Sequence, residues 1–324
     1  MVTKNVKNVN PVRGQRVLTK MQRKQTSNGA HFWQVDHKLK NISEVPGNVI
    51  LPSPQAWQKF KWLRKYFGEK PKEGYFIWVK RQVDFPLIAC INIASPKISQ
   101  DLTNLLVIEK GIKVKANVVC SAVKNNLCGT HRAKGKLLLK SGSSLEYEHL
   151  HQWGQKDFVS PDYEFILEKN SRLVYAYKNL FPPQNLLLKT TLQSNENSSS
   201  NQSFVINGLN SKIGISDNVN LLGFNSQAIV RLRLVGRKNS QIEAASQIKA
   251  TVLSGGHLDC QGLLVDRTAE ISLTPGLICQ DKNARLTHEA SIGKISEEEL
   301  TYLRMRGLSE KEAIDLIVTG FLEK

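Results

Sequence analysis

The fold is decided by the stretch L-L-L-K-S-G-S-S-L-E-Y-E-H-L at residues 137–150. An apolar run leads into a polar corner of lysine, glycine and serine, after which apolar and polar residues alternate. Alternation with a period of two is typical of a strand with one buried face, and glycine and serine favour tight turns. The stretch therefore predicts two short strands that are joined by a tight corner.

The same pattern recurs along the chain from about Leu105. Four further polar corners, each between apolar or alternating runs, lie at residues 168–172, 208–212, 237–241 and 281–285. Many short strands with no long helix between them predict either a β-solenoid or a β-sandwich, and the pattern alone leaves both open. In a solenoid, each coil would stack on its neighbours and bury a continuous apolar column.

Two segments are predicted to lie outside the strands. Residues 193–203 are polar and of low complexity, so they cannot bury apolar surface and are predicted to form an exposed, mobile loop between coils. His131 follows Gly129 and Thr130 in a motif that is typical of a corner.

Helices are predicted on both sides of the β region. Ser53 and Pro54 supply the N-cap and the first position of a helix that ends at Gly68, and its aromatic residues are expected to pack on neighbouring strands. Near the other end, the S-x-x-E capping boxes that begin at Ser296 and Ser309 predict two short helices. The predicted divisions are a basic, poorly ordered arm (1–50), a helix plus strands (51–104), a β core (105–290) and a helical hairpin (291–324).

The net charge and the cysteines indicate which partners and which cellular compartment to expect. The chain has 324 residues and a net charge of +17, and about half of the excess lies in its first forty residues. A basic arm can bind nucleic acid, but no nucleic-acid-binding motif accompanies it, so a solvated tail is favoured. The five scattered cysteines fit a reducing compartment. With no apolar run long enough for a membrane span and no secretory signal, a cytoplasmic protein is expected.

The C-terminal segment carries a family resemblance. H-E-A-S-I-G-K-I at 288–295, Y-L-R-M-R-G-L at 302–308 and E-A-I-D-L-I-V-T-G-F at 312–321 resemble the signature of the SufB/SufD family, whose members are scaffolds for iron–sulfur cluster assembly. The resemblance covers roughly residues 105–322. It implies a mainly β fold, with a right-handed parallel β-helix core between an N-terminal α/β region and a small C-terminal α-helical domain. The first hundred residues are shorter than in larger family members, which indicates a compact form.

The resemblance implies a cluster site near the end of the β region. Cys260 precedes His288 by the interval that separates the essential cysteine from the His-Glu pair in SufB, so Cys260, His288 and Glu289 are predicted to hold a transient iron–sulfur cluster at a subunit interface. A thiolate and an imidazole both bind iron, but they are too few for a complete site, so a second subunit would supply further ligands. The alternative is that Cys260 is a small buried apolar residue. Cys279 lies in an apolar run and is assigned to the core.

A second group resembles the sulfur-accepting part of SufB. Cys120 matches the cysteine that is proposed to receive sulfur, and His151, Trp153 and Lys169 follow at the intervals of residues that line the β-helix tunnel. His151 stands where the family has glutamine. The alternatives are core packing for Trp153 and a solvated corner for Lys169.

The resemblance also implies partners. The C-terminal hairpin would dock the ATPase SufC through Leu300, Tyr302, Leu303, Arg306, Ile314, Ile317 and Phe321. The chain has no G-x-x-x-x-G-K-S/T loop, so nucleotide binding would belong to SufC and this chain would be a non-enzymatic scaffold. It would pair with a second SufB/SufD-type subunit or with itself, and receive sulfur from a donor system.

Two other classes of function were weighed against the scaffold. One is a β-solenoid carbohydrate-active enzyme, which needs clustered carboxylates, whereas the acids between residues 90 and 290 are sparse. The other is a nucleic-acid-binding protein driven by the basic arm.

Overall fold

Two long β-sheets dominate the structure, a computed structural model that describes residues 31–323. The first sheet contains ten strands in the order β19-β17-β15-β13-β11-β9-β7-β5-β1-β2, and the second contains nine in the order β18-β16-β14-β12-β10-β8-β6-β4-β3. The strands of the first sheet are β1 (Phe32–Val35), β2 (Lys38–Ile42), β5 (Leu87–Ile93), β7 (Lys113–Ala122), β9 (Ser144–Gln152), β11 (Arg172–Phe181), β13 (Ser199–Leu209), β15 (Gln227–Arg237), β17 (Gly255–Leu264) and β19 (Arg285–Lys294).

The second sheet is built in the same way. Its strands are β3 (Val49–Pro52), β4 (Tyr75–Val79), β6 (Ser99–Ile108), β8 (Thr130–Leu139), β10 (Phe158–Leu167), β12 (Asn185–Ser194), β14 (Lys212–Leu221), β16 (Gln241–Ala250) and β18 (Glu270–Cys279). From β4 onward the chain passes alternately between the sheets, and from β6 onward each strand pairs in parallel with the strand two places before it. This connectivity is a β-solenoid, which confirms the mainly β prediction and excludes the sandwich.

The corners form as the quoted stretch predicts. β8 ends at Leu139, Gly142 adopts a positive φ of 70°, and β9 begins at Ser144. Later corners place asparagine in the left-handed region, including Asn170 at φ 60° and Asn210 at φ 48°. Asparagine tolerates this conformation better than most residues, which explains its recurrence at these positions.

The interior lies between the sheets and is formed by alternate residues of each strand. Because paired parallel strands are in register, inward-facing residues of successive coils stack into columns. One column of the first sheet consists of Val118, His149, Tyr177, Phe204, Leu232 and Cys260. The core is mainly apolar, but its columns also contain buried polar residues.

The prediction of an exposed, mobile loop at residues 193–203 is wrong. β12 continues to Ser194, a tight turn follows, and β13 begins at Ser199. Ser200 and Gln202 are buried with 6% and 0% of their surface exposed. The strand forms despite its polar sequence because β11 and β15 flank it in register and pair its backbone on both sides.

The N-terminal division also needs correction. Residues 1–30 lie outside the described range, but residues 31–50 contain β1, β2 and the start of β3 rather than an irregular arm. Phe32 is 1% exposed in the core, and β1 extends the first sheet by pairing with β5. β4 and β5 already belong to the solenoid, which therefore begins before residue 105.

The helices pack on the outside of the solenoid. α1 (Ser53–Lys59), a 3₁₀ turn (Lys61–Leu63) and α2 (Arg64–Phe67) place Phe60 and Leu63 against Phe76 on the second sheet, and Gly68 ends α2 at φ 76°. The predicted packing of aromatic residues on the neighbouring strands is confirmed. The predicted cap is wrong, because Ser53 is the first helical residue and Pro52 precedes it, and the single predicted helix is divided into three pieces.

The C-terminal hairpin forms with the predicted caps. It consists of α3 (Glu297–Met305) and α4 (Glu310–Leu322). The Ser296 side chain accepts a hydrogen bond from the Glu299 N–H, and Ser309 and Glu312 form a complete capping box. Val318 of α4 packs on Val235 and Leu263, on the outer face of the first sheet. Among residues 31–323, no helix has the length and apolarity that a membrane span requires.

A buried column of polar residues, Thr190, Asp217 and Ser246, should make the stability of the fold depend on pH. Buried Asp217 accepts hydrogen bonds from Thr190 Oγ1 at 2.6 Å and from Ser246 Oγ at 3.0 Å. Burial nevertheless raises the pKa of its carboxyl group to about 6. Because the folded state then binds the proton more tightly than the unfolded state, the contribution of Asp217 is fully present below about pH 4 and is lost as pH rises through about 6.

We therefore expect the stability difference between the wild type and Asp217→Asn to change by about 2 kcal/mol, in favour of the variant, between pH 4 and pH 7. Urea unfolding at each pH measures the free energy of unfolding of both proteins. The difference between the two values cancels the contributions of groups that they share. A difference that stays constant over this range would contradict the assignment.

Candidate functional site

The most chemically distinctive part of the interior lies between β7, β9 and β11 of the first sheet and β8 of the second. In-register pairing places Cys120 beside His151, and Val118 beside His149. His131 faces them from β8. We call Cys120, His131, His149, His151 and Trp153 the interior histidine cluster.

Three side chains of this cluster meet at their ligand atoms. Cys120 Sγ lies 3.6 Å from His149 Nε2, which in turn lies 2.8 Å from His151 Nε2. The other nitrogens of the two rings point to phenols: Tyr175 OH is 3.5 Å from His149 Nδ1, and Tyr177 OH is 3.0 Å from His151 Nδ1. All five residues are buried, so these contacts occur without bulk water.

His131 and Trp153 close one side of the cluster. His131 Nδ1 lies 2.9 Å from Gln100 Oε1, and its ring centroid is 4.7 Å from that of Trp153. Within residues 31–323, His131 Nε2, Trp153 Nε1 and Asn179 Oδ1 are buried and have no hydrogen-bond partner. Buried polar atoms are nearly always paired with protein or ordered water, so the cluster retains unused hydrogen-bonding capacity.

The low polarity of the surroundings keeps the cluster uncharged. Burial lowers the pKa of His131 and of His149 to about 3, and that of His151 well below its usual value. Burial also raises the pKa of the Cys120 thiol. At neutral pH the histidines therefore have free lone pairs, and Cys120 is a thiol with no cation near it among residues 31–323 to favour the thiolate.

The structure brings together three of the four residues predicted for sulfur acceptance. Cys120, His151 and Trp153 share the interior, whereas Lys169 lies in the corner after β10, where its Nζ is 2.8 Å from Glu196 Oε1. The side chain of Lys169 is half-exposed, so the predicted interior placement is wrong and the solvated alternative is correct.

Sequence reasoning missed His149 and misplaced His131. His149 is separated from His151 by one residue, so the period of two in β9 puts Tyr147, His149 and His151 on one face. This alternation was sufficient to find His149. His131 lies inside β8 rather than in a corner and is fully buried, because β8 begins at Thr130.

The second predicted site lies at the far end of the solenoid, where β19 is the last strand of the first sheet. Cys260 is 2% exposed and lies beside Ala290, while His288 lies beside Leu258 on the same inner face. Burial is the main cause that raises the pKa of Cys260 to about 11, with neighbouring Asp259 adding to it. His288 is exposed, because β19 is an edge strand and carries the final coil.

Glu289 lies on the opposite face of β19. It pairs with Asp259, and its Oε1 is 3.8 Å from His257 Nε2. Cys260, His288 and Glu289 therefore do not converge. Within the described residues, the only group of three or more candidate ligand atoms within 4.8 Å of one another is that of Cys120, His149 and His151.

Cys279 also belongs to this end of the solenoid. It was predicted to be a core residue, but its side chain is exposed and its Sγ lies 3.2 Å from the Asp281 carbonyl oxygen. It pairs with buried Ala250, which places it on the inner side of β18. The prediction is wrong because β18 is the last strand of its sheet, so its inner-facing residues remain accessible.

The predicted docking residues of the hairpin fall into two sets, one packed against the solenoid and one on its outward surface. Ile314, Ile317 and Phe321 are partly buried against the solenoid. Tyr302 is 56% exposed and stacks with Arg306 at 5.3 Å, while Leu300 and Leu303 are half-buried on the same helix. Two further exposed apolar residues, Met305 and Leu316, extend the outward surface.

Fold and site together define a class: a parallel β-solenoid that encloses a thiol–histidine cluster and carries a helical hairpin on one face. Comparison with known proteins places this chain in one family. The profile described as "SUF system FeS cluster assembly, SufBD core domain" matches residues 92–321. The chain belongs to the SufBD family of iron–sulfur cluster assembly proteins, which supports the predicted role as an assembly scaffold.

Individual relatives agree with this assignment. An iron–sulfur cluster assembly SufBD family protein of Archaeoglobus fulgidus is 27% identical over 312 residues, 90% of this chain and 84% of the relative. One from Methanothermobacter thermautotrophicus is 28% identical over 298 residues, 84% of this chain and 72% of the relative. The iron–sulfur cluster assembly protein SufB of Bacillus subtilis is 22% identical over 256 residues, 77% of this chain and 55% of the relative.

The burial of the cysteines predicts their order of modification. Cys128 and Cys279 are exposed, whereas Cys90, Cys120 and Cys260 are buried. Because the thiolate is the reactive form and must be reached by the reagent, iodoacetamide should modify the exposed pair first in the native chain at pH 7.5. Peptide mass spectrometry over time measures the rates, with urea-unfolded chain as the control in which all five react. Modification of Cys120 as fast as Cys128 would contradict the described interior.

Proposed function

We propose that the chain is a non-enzymatic, cytoplasmic scaffold subunit on which an iron–sulfur cluster is assembled. Cys260 and His288 would bind the nascent cluster as transient cargo, while Glu289 stays on the opposite face of β19, and a SufC-type ABC ATPase would bind the hairpin. The observation that carries the proposal is the inner face of the last coil, where Cys260 and the exposed His288 lie on the same side of paired strands.

The exposure of β19 explains how an incomplete ligand set could become complete. One cysteine and one histidine cannot satisfy a cluster that is usually held by four ligands. A second SufB/SufD-type subunit, or a second copy of this chain, that stacks on the last coil would cover its exposed residues and could add ligands. The same contact would change the surroundings of Cys260, whose pKa burial now holds at about 11.

Sulfur would enter at Cys120 when the solenoid opens locally, because the thiol is buried in the closed structure. Its thiolate would attack the terminal sulfur of a donor persulfide, the donor S–S bond would break, and the donor would leave as a thiolate while a persulfide forms on Cys120. This transfer needs no external oxidant, because the sulfane sulfur moves unchanged in oxidation state. The column that contains His149 continues through Tyr177, Phe204 and Leu232 to Cys260, so the two cysteines lie along one interior.

The outward surface of the hairpin is the proposed ATPase contact. Tyr302, Met305 and Leu316 are large apolar residues with more than half of their surface exposed. Exposed aromatic and methionine side chains next to arginine are typical of the centre of protein interfaces. Ile314, Ile317 and Phe321 would support this surface from below, since they are partly buried against the solenoid.

The two parts of the proposal can be separated in one experiment. The chain is expressed with a SufC-type ATPase, purified as a complex, and reconstituted anaerobically with ferrous iron and sulfide. We expect Cys260→Ser to retain the ATPase but to lose most of the cluster absorbance in the visible range. Tyr302→Glu should lose the ATPase at least tenfold in yield, because it places a charge in an apolar contact.

Cys128→Ser is the matched control, since Cys128 is exposed and distant in sequence from both sites. It should retain both the ATPase and the cluster. The absence of cluster absorbance in the wild type, or equal absorbance in Cys260→Ser, would contradict the cluster site. Undiminished recovery of the ATPase with Tyr302→Glu would contradict the docking surface.

A further inference from the structure

We propose that Cys120, His149 and His151 form a binding site for one thiophilic divalent metal ion, Zn²⁺ or Fe²⁺, inside the solenoid. The site is separate from the cluster site proposed at Cys260 and does not depend on it. It rests on the geometry of the three ligand atoms, the orientation of the two imidazoles and the unpaired polar atoms around them.

The ligand atoms are already close to coordinating distances. A metal with bonds of about 2.3 Å to sulfur and about 2.0–2.1 Å to nitrogen holds a sulfur and a nitrogen roughly 3.6 Å apart in tetrahedral geometry, and two nitrogens roughly 3.3 Å apart. The observed Cys120 Sγ to His149 Nε2 distance is 3.6 Å. The two Nε2 atoms lie 2.8 Å apart, so binding requires them to separate by about half an ångström.

The phenols orient both rings for this purpose. Metal-binding histidines usually donate the N–H of the second ring nitrogen to a neighbouring acceptor, which directs the other nitrogen to the metal. Tyr177 OH lies near His151 Nδ1 and Tyr175 OH lies near His149 Nδ1. With Nδ1 protonated on both rings, two Nε2 lone pairs would face each other, and this repulsion is relieved by a proton or a cation between them.

Unpaired polar atoms around the three ligand atoms are an independent indication that the site binds a further group. His131 Nε2, Trp153 Nε1 and Asn179 Oδ1 are buried and without hydrogen-bond partners in the described part of the chain. Asn179 lies directly beside His151 in register. A metal with three protein ligands retains a fourth position, and a water molecule there, or Asn179 itself, would use part of this unmet capacity.

The donor set selects the kind of metal. One sulfur and two imidazole nitrogens suit zinc, iron and other first-row transition metals, whereas magnesium and calcium require oxygen ligands. A bound metal holds a coordinating thiol as a thiolate. This would supply the charge state that sulfur acceptance needs at Cys120, since no cationic side chain of the described range 31–323 lies next to the thiol.

Cobalt is the probe that tests the site. Co²⁺ bound to a thiolate gives a sulfur-to-metal charge-transfer band in the near ultraviolet, and tetrahedral Co²⁺ gives intense visible bands. The metal-free full-length chain is titrated anaerobically with Co²⁺, both in the native state and during refolding, because a buried site loads only when the solenoid opens locally. We expect one Co²⁺ per chain with both sets of bands, displaced by Zn²⁺ and not by Mg²⁺.

Two variants and two controls make the result specific. Cys120→Ser should lose the charge-transfer band, and His149→Gln should weaken binding by about tenfold or more. Cys90→Ser is the matched control for a buried cysteine, since Cys90 lies on the outer face of the adjacent strand β5. Cys260→Ser tests whether the cluster site contributes. Both controls should retain the bands, and urea unfolding of every metal-free chain shows that the variants fold.

Three results of the cobalt titration would decide against the proposed metal site, and a fourth would separate it from cluster assembly. No charge-transfer band in the refolded wild type, or a band that persists in a folded Cys120→Ser, overturns the proposal. A band that depends on Cys260 and not on Cys120 also overturns it. Cluster assembly is read separately by iron–sulfide reconstitution, so a chain that binds Co²⁺ at Cys120 but assembles no cluster would contradict the proposed function and leave the metal site intact.

Discussion

In-register stacking of parallel strands is the constraint on which the rest of the structure depends. Each inward-facing residue lies directly beside the inward-facing residue of the next coil, and a shift of one residue would turn every side chain to the opposite face. The register therefore converts positions that are far apart in sequence into neighbours. Cys120, His151 and Asn179 belong to three successive coils and form one short column because of it.

The same constraint makes polar residues in the interior costly. A buried polar group needs a partner, and the only partners are the neighbouring columns and the facing sheet. Asp217 meets this need with Thr190 and Ser246, whereas among residues 31–323 the interior histidine cluster leaves His131 Nε2 and Trp153 Nε1 unpaired. Departures from an apolar core are expected at functional sites, and this one also brings the ligand atoms of Cys120, His149 and His151 within 4.8 Å of one another.

Features that depend on a few adjacent residues, such as the polar corners and the caps of the C-terminal helices, were predicted correctly from the sequence. The corner after Leu139 and the capping box at Ser309 depend on a few adjacent residues, and both form as expected. The strand at 199–209 could not be recognised, because its stability comes from neighbouring strands and not from its own polar sequence. Cys120 and His151 were found through the family resemblance, while Lys169 was misplaced because a fixed interval does not say which way a corner residue points. Cys279 was misplaced because exposure at the end of a stack is not encoded in an apolar run.

The interior thus has a polar centre at Cys120 and a thiol at Cys260 near its exposed last coil, and metal binding by Cys120, His149 and His151 is the central claim. X-ray absorption at the zinc edge tests it most directly, on the full-length chain loaded with less than one equivalent of Zn²⁺. We predict one sulfur scatterer at about 2.3 Å with nitrogen or oxygen scatterers at about 2.0–2.1 Å, and loss of the sulfur in Cys120→Ser. A shell without sulfur in the wild type, or sulfur retained in Cys120→Ser, would contradict the account.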